Sequence, residues 1–229
     1  MTPLLFRTQQ VFLAMWAWIR KHPSIAMALI FGGIGIQAFL ELAEALPHGD
    51  LWPIDHLVRV YILTHQYPLL TGLAMVLSAA LNWPYVLLLL LPFVIYLLYK
   101  RQDIMAAGLV IIPCLTALLI GLLKHLFQRP RPSVLEVIER GYSFPSGHAL
   151  SAMVIYGLLG YIAWRCWARK KRDKTLIVVI VVLLVLATGC ARVYLSVHYP
   201  SDVLAGWAAG AAVLFGSIAL LETLQKPKG

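Results

Sequence analysis

Three short groups of polar residues stand out in an otherwise apolar chain: Lys124-x6-Arg131-Pro132, Pro145-Ser146-Gly147-His148 and Arg192-x5-His198-x3-Asp202. Lys124, Arg131 and Arg192 concentrate positive charge, and a guanidinium fork matches two phosphate oxygens at once. Ser146 is a good helix N-cap, so the backbone N–H groups around Gly147 and His148 would face an anion at the helix start. Gly147 lets the backbone come close. Cations plus a helix N-terminus amount to a phosphate site, and the same groups stabilise the charge on a phosphoryl group in transfer.

A nucleophile and a proton donor beside such a site would make it a phosphatase. Histidine is one of the side chains that form covalent intermediates. It must be neutral at one ring nitrogen and oriented through the other, and Asp202 is the expected partner of His198. Pro200 belongs in the first turn of a helix with Tyr199 extended before it, so this pair is expected to meet across a turn. His148 is left as the general acid for the leaving oxygen. Arg129, in Arg129-Pro130-Arg131-Pro132, is a secondary candidate, either for the site or for lipid headgroups.

The elements that must position these groups are membrane spans. The chain has 229 residues, is 61% hydrophobic and only 13% charged, where a soluble domain carries about a quarter. Ile104–Leu123, Gly147–Trp164, Thr175–Ala191 and Val203–Leu221 carry no Asp, Glu, Lys or Arg, and Pro23–Leu40 is another such stretch. Each approaches the ~20 residues that cross a ~30 Å hydrocarbon core. Leu69–Tyr99 is longer and holds Pro84 and Pro92, so one span from Leu81 to Tyr99 is expected, preceded by helix near the interface. The predicted fold is an all-α integral membrane protein, six transmembrane helices in one bundle, forming a single domain over 1–229.

The formal charge of +9 does not signal nucleic acid, because the basic residues sit in alternate connections. Arg7, Arg20 and Lys21 precede the first span; Lys100 and Arg101 follow the second; Arg169, Lys170, Lys171, Arg172 and Lys174 lie between the fourth and fifth; Lys226 and Lys228 end the chain. This is the positive-inside pattern, with both termini cytoplasmic. Pro47–Pro68, Gln128–Pro145 and Arg192–Ser201 then face outward, and all three polar groups converge at the outer face. Residues 1–22 read as a cytoplasmic amphipathic segment, and Pro53–His65 as an amphipathic helix on the outer surface, bordering the entry to the site. Gly206-x-x-x-Gly210 gives the sixth span a small-residue face for close contact, and Gly157 and Gly160 are read likewise for the fourth. Cys114, Cys166 and Cys190 have no metal-ligand spacing and are read as packing residues.

The three groups resemble the three-part signature of the type 2 phosphatidic acid phosphatase superfamily: Lys-x6-Arg-Pro, Pro-Ser-Gly-His and Ser-Arg-x5-His-x3-Asp. The likeness spans Lys124–Asp202 with order and spacing intact, except that Ala191 replaces the serine of the third motif. The resemblance implies that Lys124, Arg131 and Arg192 hold phosphate with help from Ser146 and Gly147. It implies that His148 is the leaving-group acid, His198 the nucleophile and Asp202 its orienting partner. No metal ion or other cofactor is expected. The implied partner is a lipid mono- or diphosphate in the bilayer, such as phosphatidate, phosphatidylglycerol phosphate, undecaprenyl diphosphate or a phosphorylated glycolipid. The compact chain resembles bacterial members, which places it in an inner membrane with the site on the periplasmic face. A lipid phosphotransferase using the same histidine, and a non-catalytic binder or transporter of anionic lipids, are the alternative readings.

Overall fold

Proline marks where several helices begin, because its missing N–H and fixed φ suit the first helical positions. Pro53, Pro68, Pro84 and Pro200 all stand there. The computed structural model describes residues 16–48, 51–132 and 141–225, and all regular structure among them is helical. After a helical stretch over 16–21 come α1 (Pro23–His48), α2 (Trp52–Thr64), α3 (Pro68–Ala79), α4 (Trp83–Tyr99), α5 (Asp103–Phe127), α6 (Gly147–Cys166), α7 (Lys171–Tyr194) and α8 (Pro200–Leu224). Most of the expected segment 1–22 lies outside the described residues, as do Lys226 and Lys228.

α1, α5, α6, α7 and α8 are each long and apolar enough to cross a membrane, and the α3–α4 pair, bent by 60°, is long and apolar enough only when taken together, as a sixth candidate span or a re-entrant pair. Charges at the ends extend the helices beyond the uncharged stretches. Asp103 and Asp173 lie in first turns, Lys124 and Arg192 in last turns, where the helix dipole favours each sign. Along α5, Leu118, Leu122 and Leu126 form a stripe that is 71%, 65% and 69% exposed. Such a stripe is a liability in water and an ordinary surface in hydrocarbon. The chain is an integral membrane protein.

α6 is the central helix: 61% of its most apolar stretch is buried, against at most 39% in the other four long spans. The core around it joins Leu90 and Leu97 of α4, Leu109 and Ile112 of α5, Leu158 and Ile162 of α6, Val185 of α7 and Leu214 of α8. Small residues bring the backbones together. A Cβ on Gly206 would stand 2.6 Å from the Ser146 carbonyl oxygen, and one on Gly210 would stand 2.9 Å from that of Leu150, so this face of α8 lies directly on α6. Gly35 of α1 approaches the Ala208 carbonyl as closely, at 2.7 Å, from the other side of α8. The α6 glycines serve two neighbours: Gly157 receives Leu214 of α8, and Gly160 receives Val181 of α7.

α2 forms where an outward amphipathic helix is expected, but its faces are reversed. Ile54, Leu57 and Tyr61 are exposed, while Asp55 is only 3% exposed and turns into the bundle.

Candidate active site

The three polar groups occupy helix ends that meet. α5 closes at Gln128, whose left-handed φ of 47° ends the helix while its N–H bonds the Lys124 carbonyl. The following Arg129–Pro132 stretch is tied to the segment before α6 by Ser143, whose N–H donates to the Arg129 carbonyl at 2.8 Å and whose hydroxyl donates to that of Pro130 at 3.1 Å. Ser146 caps α6, its Oγ accepting from the Ala149 N–H at 3.4 Å. Gly147 and His148 therefore occupy the first turn, before the intrahelical hydrogen bonds begin. The Ser146 N–H donates to the Asp202 carbonyl at 2.9 Å, which joins the start of α6 to the start of α8.

A cavity of about 330 Å³ opens between these ends, lined on its polar side by Lys124, Arg131, Gly147, His148, Ser151 and His198. The remainder is mostly apolar: Leu81, Trp83 and Val86 at the α3–α4 bend, Pro113, Ala117 and Ile120 along α5, and Ile155 of α6. From Lys124 to Pro113 it follows α5 for about three turns. Lys124 Nζ donates to the Tyr142 carbonyl at 2.7 Å, and Arg131 Nε donates to that of Gly141 at 3.1 Å. Ser146, Arg192 and Asp202 stand behind the lining, not in it.

His198 lies in the five-residue connection between α7 and α8 and is 2% exposed. Its Nδ1 lies 3.4 Å from Asp202 Oδ2, and its Nε2 lies 3.2 Å from Arg131 Nη1. A guanidinium offers only donors, so Nε2 carries the lone pair and Nδ1 the hydrogen. The contact with Asp202 does cross a turn: Tyr199 is the extended N-cap of α8, and its N–H donates to Asp202 Oδ2 at 2.9 Å. Burial lowers the His198 pKa most, Asp202 opposes it, and Arg131 and Arg192 add to the lowering, leaving it at about 4. The imidazole is held neutral.

Arg129, the secondary candidate, and Arg192 make further contacts that bring in residues outside the motifs, Asp55, Ser201 and Ser78. Arg129 donates from Nη1 to Asp202 Oδ1 at 2.6 Å and to Ser201 Oγ at 2.8 Å, and from Nη2 to Asp55 Oδ2 at 2.7 Å. Its guanidinium lies 4.1 Å above the centre of the Tyr199 ring. Burial works against the Arg129 charge, but Asp202 and Asp55 outweigh it and raise its pKa above the usual guanidinium value. Arg192, 2% exposed, donates to the Ser78 hydroxyl of α3. Asp55 carried one sequence signal, a carboxylate among apolar residues at a membrane boundary; Ser78 carried none.

The sequence profile of the PAP2 superfamily matches residues 104–226, more than half of the chain. The chain belongs to the PAP2 superfamily. Among its relatives, phosphatidylglycerophosphatase B of Bacillus subtilis is 31% identical over 43% of this chain and 49% of that protein. An undecaprenyl-diphosphatase of Sulfolobus acidocaldarius is 30% identical over 56% of this chain and 60% of its own length. The chain thus matches about half to three-fifths of these relatives. The crystal structure of a transmembrane PAP2-type phosphatidylglycerolphosphate phosphatase from Bacillus subtilis superposes with a TM-score of 0.79 over 85% of this chain and 99% of that one, at 23% identity, and shares the fold. The structure of Aquifex aeolicus LpxE gives 0.53 over 72% and 93%, at 29% identity.

In this PAP2 protein Ala191, in place of the motif serine, is 4% exposed and packs with Ala74, Leu195 and Val197 between α7 and α3. The position makes an apolar seam where the family pattern has a hydroxyl.

Proposed function

We propose that this protein hydrolyses a lipid mono- or diphosphate through a phosphohistidine on His198, without a metal ion. The observation that carries the reading is the orientation of one ring: Nε2 faces the cavity and Arg131, and Nδ1 faces Asp202. A neutral imidazole with its lone pair toward a cationic recess is poised to attack phosphorus. Lys124, Arg131 and the N–H groups at Gly147 and His148 hold the phosphoryl oxygens, and Arg192, behind the lining, adds positive charge that offsets the transition state. The Nε2–P bond forms as the bond from phosphorus to the lipid oxygen breaks, and that oxygen takes the His148 proton. Asp202 stabilises the positive charge that appears on the ring. Water, giving its proton to His148, then attacks phosphorus and releases phosphate with neutral His198 restored.

The apolar wall running to Pro113 supports a substrate whose chain enters sideways between α4 and α5 while its headgroup reaches Lys124. The names of the relatives point to phosphatidylglycerol phosphate or undecaprenyl diphosphate. Lys21, Lys100, Arg101 and Arg165 line one recess at the opposite end of the bundle, where α4 ends and α5 begins. That separation supports cytoplasmic termini and a site on the periplasmic side of an inner membrane.

The test is phosphate release in detergent with excess chelator on a panel of lipid mono- and diphosphates, for wild type and His198→Ala. Turnover that survives chelation and vanishes in the variant is expected, and the panel ranks the substrates. Equal activity in the variant, or a need for divalent metal, overturns the reading.

A further inference from the structure

Asp55 belongs to α2, outside the stretch matched by the family, yet its side chain binds Arg129 and Ser201 beside the site. It accepts the Ser201 N–H at 3.0 Å, the Ser201 hydroxyl at 2.6 Å and Arg129 Nη2 at 2.7 Å. Ser201 is the residue after Pro200 in the first turn of α8, next to Asp202. Arg129 is gripped by Asp55, by Asp202 and by the face of Tyr199. The chain of contacts therefore runs from Asp55 through Arg129 to Asp202 and on to His198.

Asp202 has its two oxygens divided. Oδ1 accepts Arg129 at 2.6 Å, and Oδ2 accepts the Tyr199 N–H at 2.9 Å and faces His198 at 3.4 Å. A carboxylate anchored on Oδ1 cannot turn about its Cβ–Cγ bond, so Oδ2 stays toward the ring. Stability is a poor reason for such a group, since a buried ion pair contributes little over apolar packing. Orientation is a better one, because small displacements of a catalytic group cost rate steeply.

We infer that Asp55 and Arg129 are positioning residues for the His198–Asp202 pair, Asp55 acting through Arg129 and through the first turn of α8. The inference rests on the phosphohistidine reading proposed above. Asp55 fixes the guanidinium that the end of α5 delivers from the other side of the site; Arg129 fixes the plane of the carboxylate. The charged groups around the pair are Arg129 on Asp202, Arg131 and Arg192 near His198, and Asp55 behind Arg129, with Lys124 and His148 across the cavity. Removal of Arg129 takes a positive charge from Asp202, so the imidazole 3.4 Å away faces a less compensated carboxylate and binds a proton at higher pH.

The test uses the full chain in detergent and compares wild type, His198→Ala, Asp55→Asn, Arg129→Gln, Arg129→Lys and the Asp55→Asn/Arg129→Gln pair. Asn at 55 keeps an acceptor for the Ser201 N–H but loses the charge and the oxygen that receives Arg129. The expected result is a fall in kcat of about ten- to a hundredfold for Asp55→Asn and Arg129→Gln, with KM for the lipid held. The acid limb of the rate profile moves to higher pH in Arg129→Gln, and Arg129→Lys recovers part of the rate. The double variant should be no slower than Arg129→Gln, because asparagine at 55 still accepts the Ser201 N–H and the rest of the effect of Asp55 passes through the group already removed. Should Arg129→Gln fail to fold, Asp55→Asn alone decides by its kcat: a fall of about tenfold or more with KM held supports the inference, and wild-type kcat overturns it. Wild-type kcat and an unmoved pH profile in both single variants, or losses that multiply in the double variant, overturn the inference. A wild type that releases no phosphate from any lipid, or equals His198→Ala, overturns the reading beneath it and this inference together.

Discussion

Arg131 places its Nη1 3.2 Å from Nε2 of His198. The same nitrogen donates to the Val197 carbonyl at 2.9 Å, and Nε donates to the Gly141 carbonyl at 3.1 Å. One guanidinium thus covers the ring nitrogen that the proposed attack requires, and two backbone carbonyls hold it there. In the proposed mechanism an arriving phosphate would have to draw Arg131 onto its own oxygens and uncover the lone pair, which would make substrate binding and nucleophile release one event.

Arg131→Lys keeps the charge and loses the fork, so it cannot serve the carbonyls and phosphate together. Hydrogen bonds to charged groups contribute about 1.5–3 kcal/mol each, which sets the expected fall in kcat/KM at about ten- to a hundredfold. Steady-state kinetics on the preferred lipid measures it; a variant within twofold of wild type contradicts the role.

The His198 pKa of about 4 has two consequences. In the proposed mechanism its neutral form is the reactive one, so rate should persist well below the ordinary histidine value near 6.5, and fall only as pH approaches 4. Stability changes in the same window. The unfolded chain binds a proton at His198 below about 6.5 and the folded chain only below about 4, so folding loses stability as pH falls between them. The loss is on the order of 3 kcal/mol by the linkage relation. Melting temperature against pH for wild type and His198→Gln isolates it: the wild type should fall more steeply from pH 6.5 to 4, and the two should run parallel above 6.5.

Ala117 lines the apolar length of the cavity one turn below Ile120. Ala117→Phe should obstruct the path of a long chain and leave the polar end intact. The expected outcome is a loss of at least about tenfold in kcat/KM on long-chain lipid phosphates, with short-chain analogues little affected, since apolar contacts of this size discriminate by about 1–3 kcal/mol. Equal losses on both would mean that the chain does not take this route.

Ser78 accepts a hydrogen bond from the buried Arg192 guanidinium. Ser78→Ala removes that acceptor inside the bundle and should cost about 1–3 kcal/mol of stability. If Arg192 serves phosphate as proposed, its loosened side chain should also raise KM more than it lowers kcat. Thermal unfolding and Michaelis kinetics on the same preparation read both.

Much of the site could be read from the chain because its parts lie at helix ends. Counting spans places the ends of α5 and α7 and the starts of α6 and α8 together, and Lys124, His148 and His198 go with them. The rest depends on contacts between distant parts of the chain, to which spacing is blind. Arg129 reads as an extra cation until Asp55 and Asp202 are seen on either side of it. Asp55 reads as the polar face of a surface helix, and α2 turns that face inward because its apolar side has hydrocarbon to meet. Ser78 lies at the end of α3, where a single hydroxyl among apolar residues gives no hint of the arginine it receives.

The contact between Gly206 and the Ser146 carbonyl brings together two helices whose first turns carry the proposed phosphate cradle and Asp202. A methyl group at position 206 would leave every histidine, arginine and carboxylate of the protein in place and still push those two turns apart. Function here has a silent mode of failure. A gene whose signature residues are all intact can encode a folded, membrane-inserted and inert protein, and inspection of its motifs would pass it as sound.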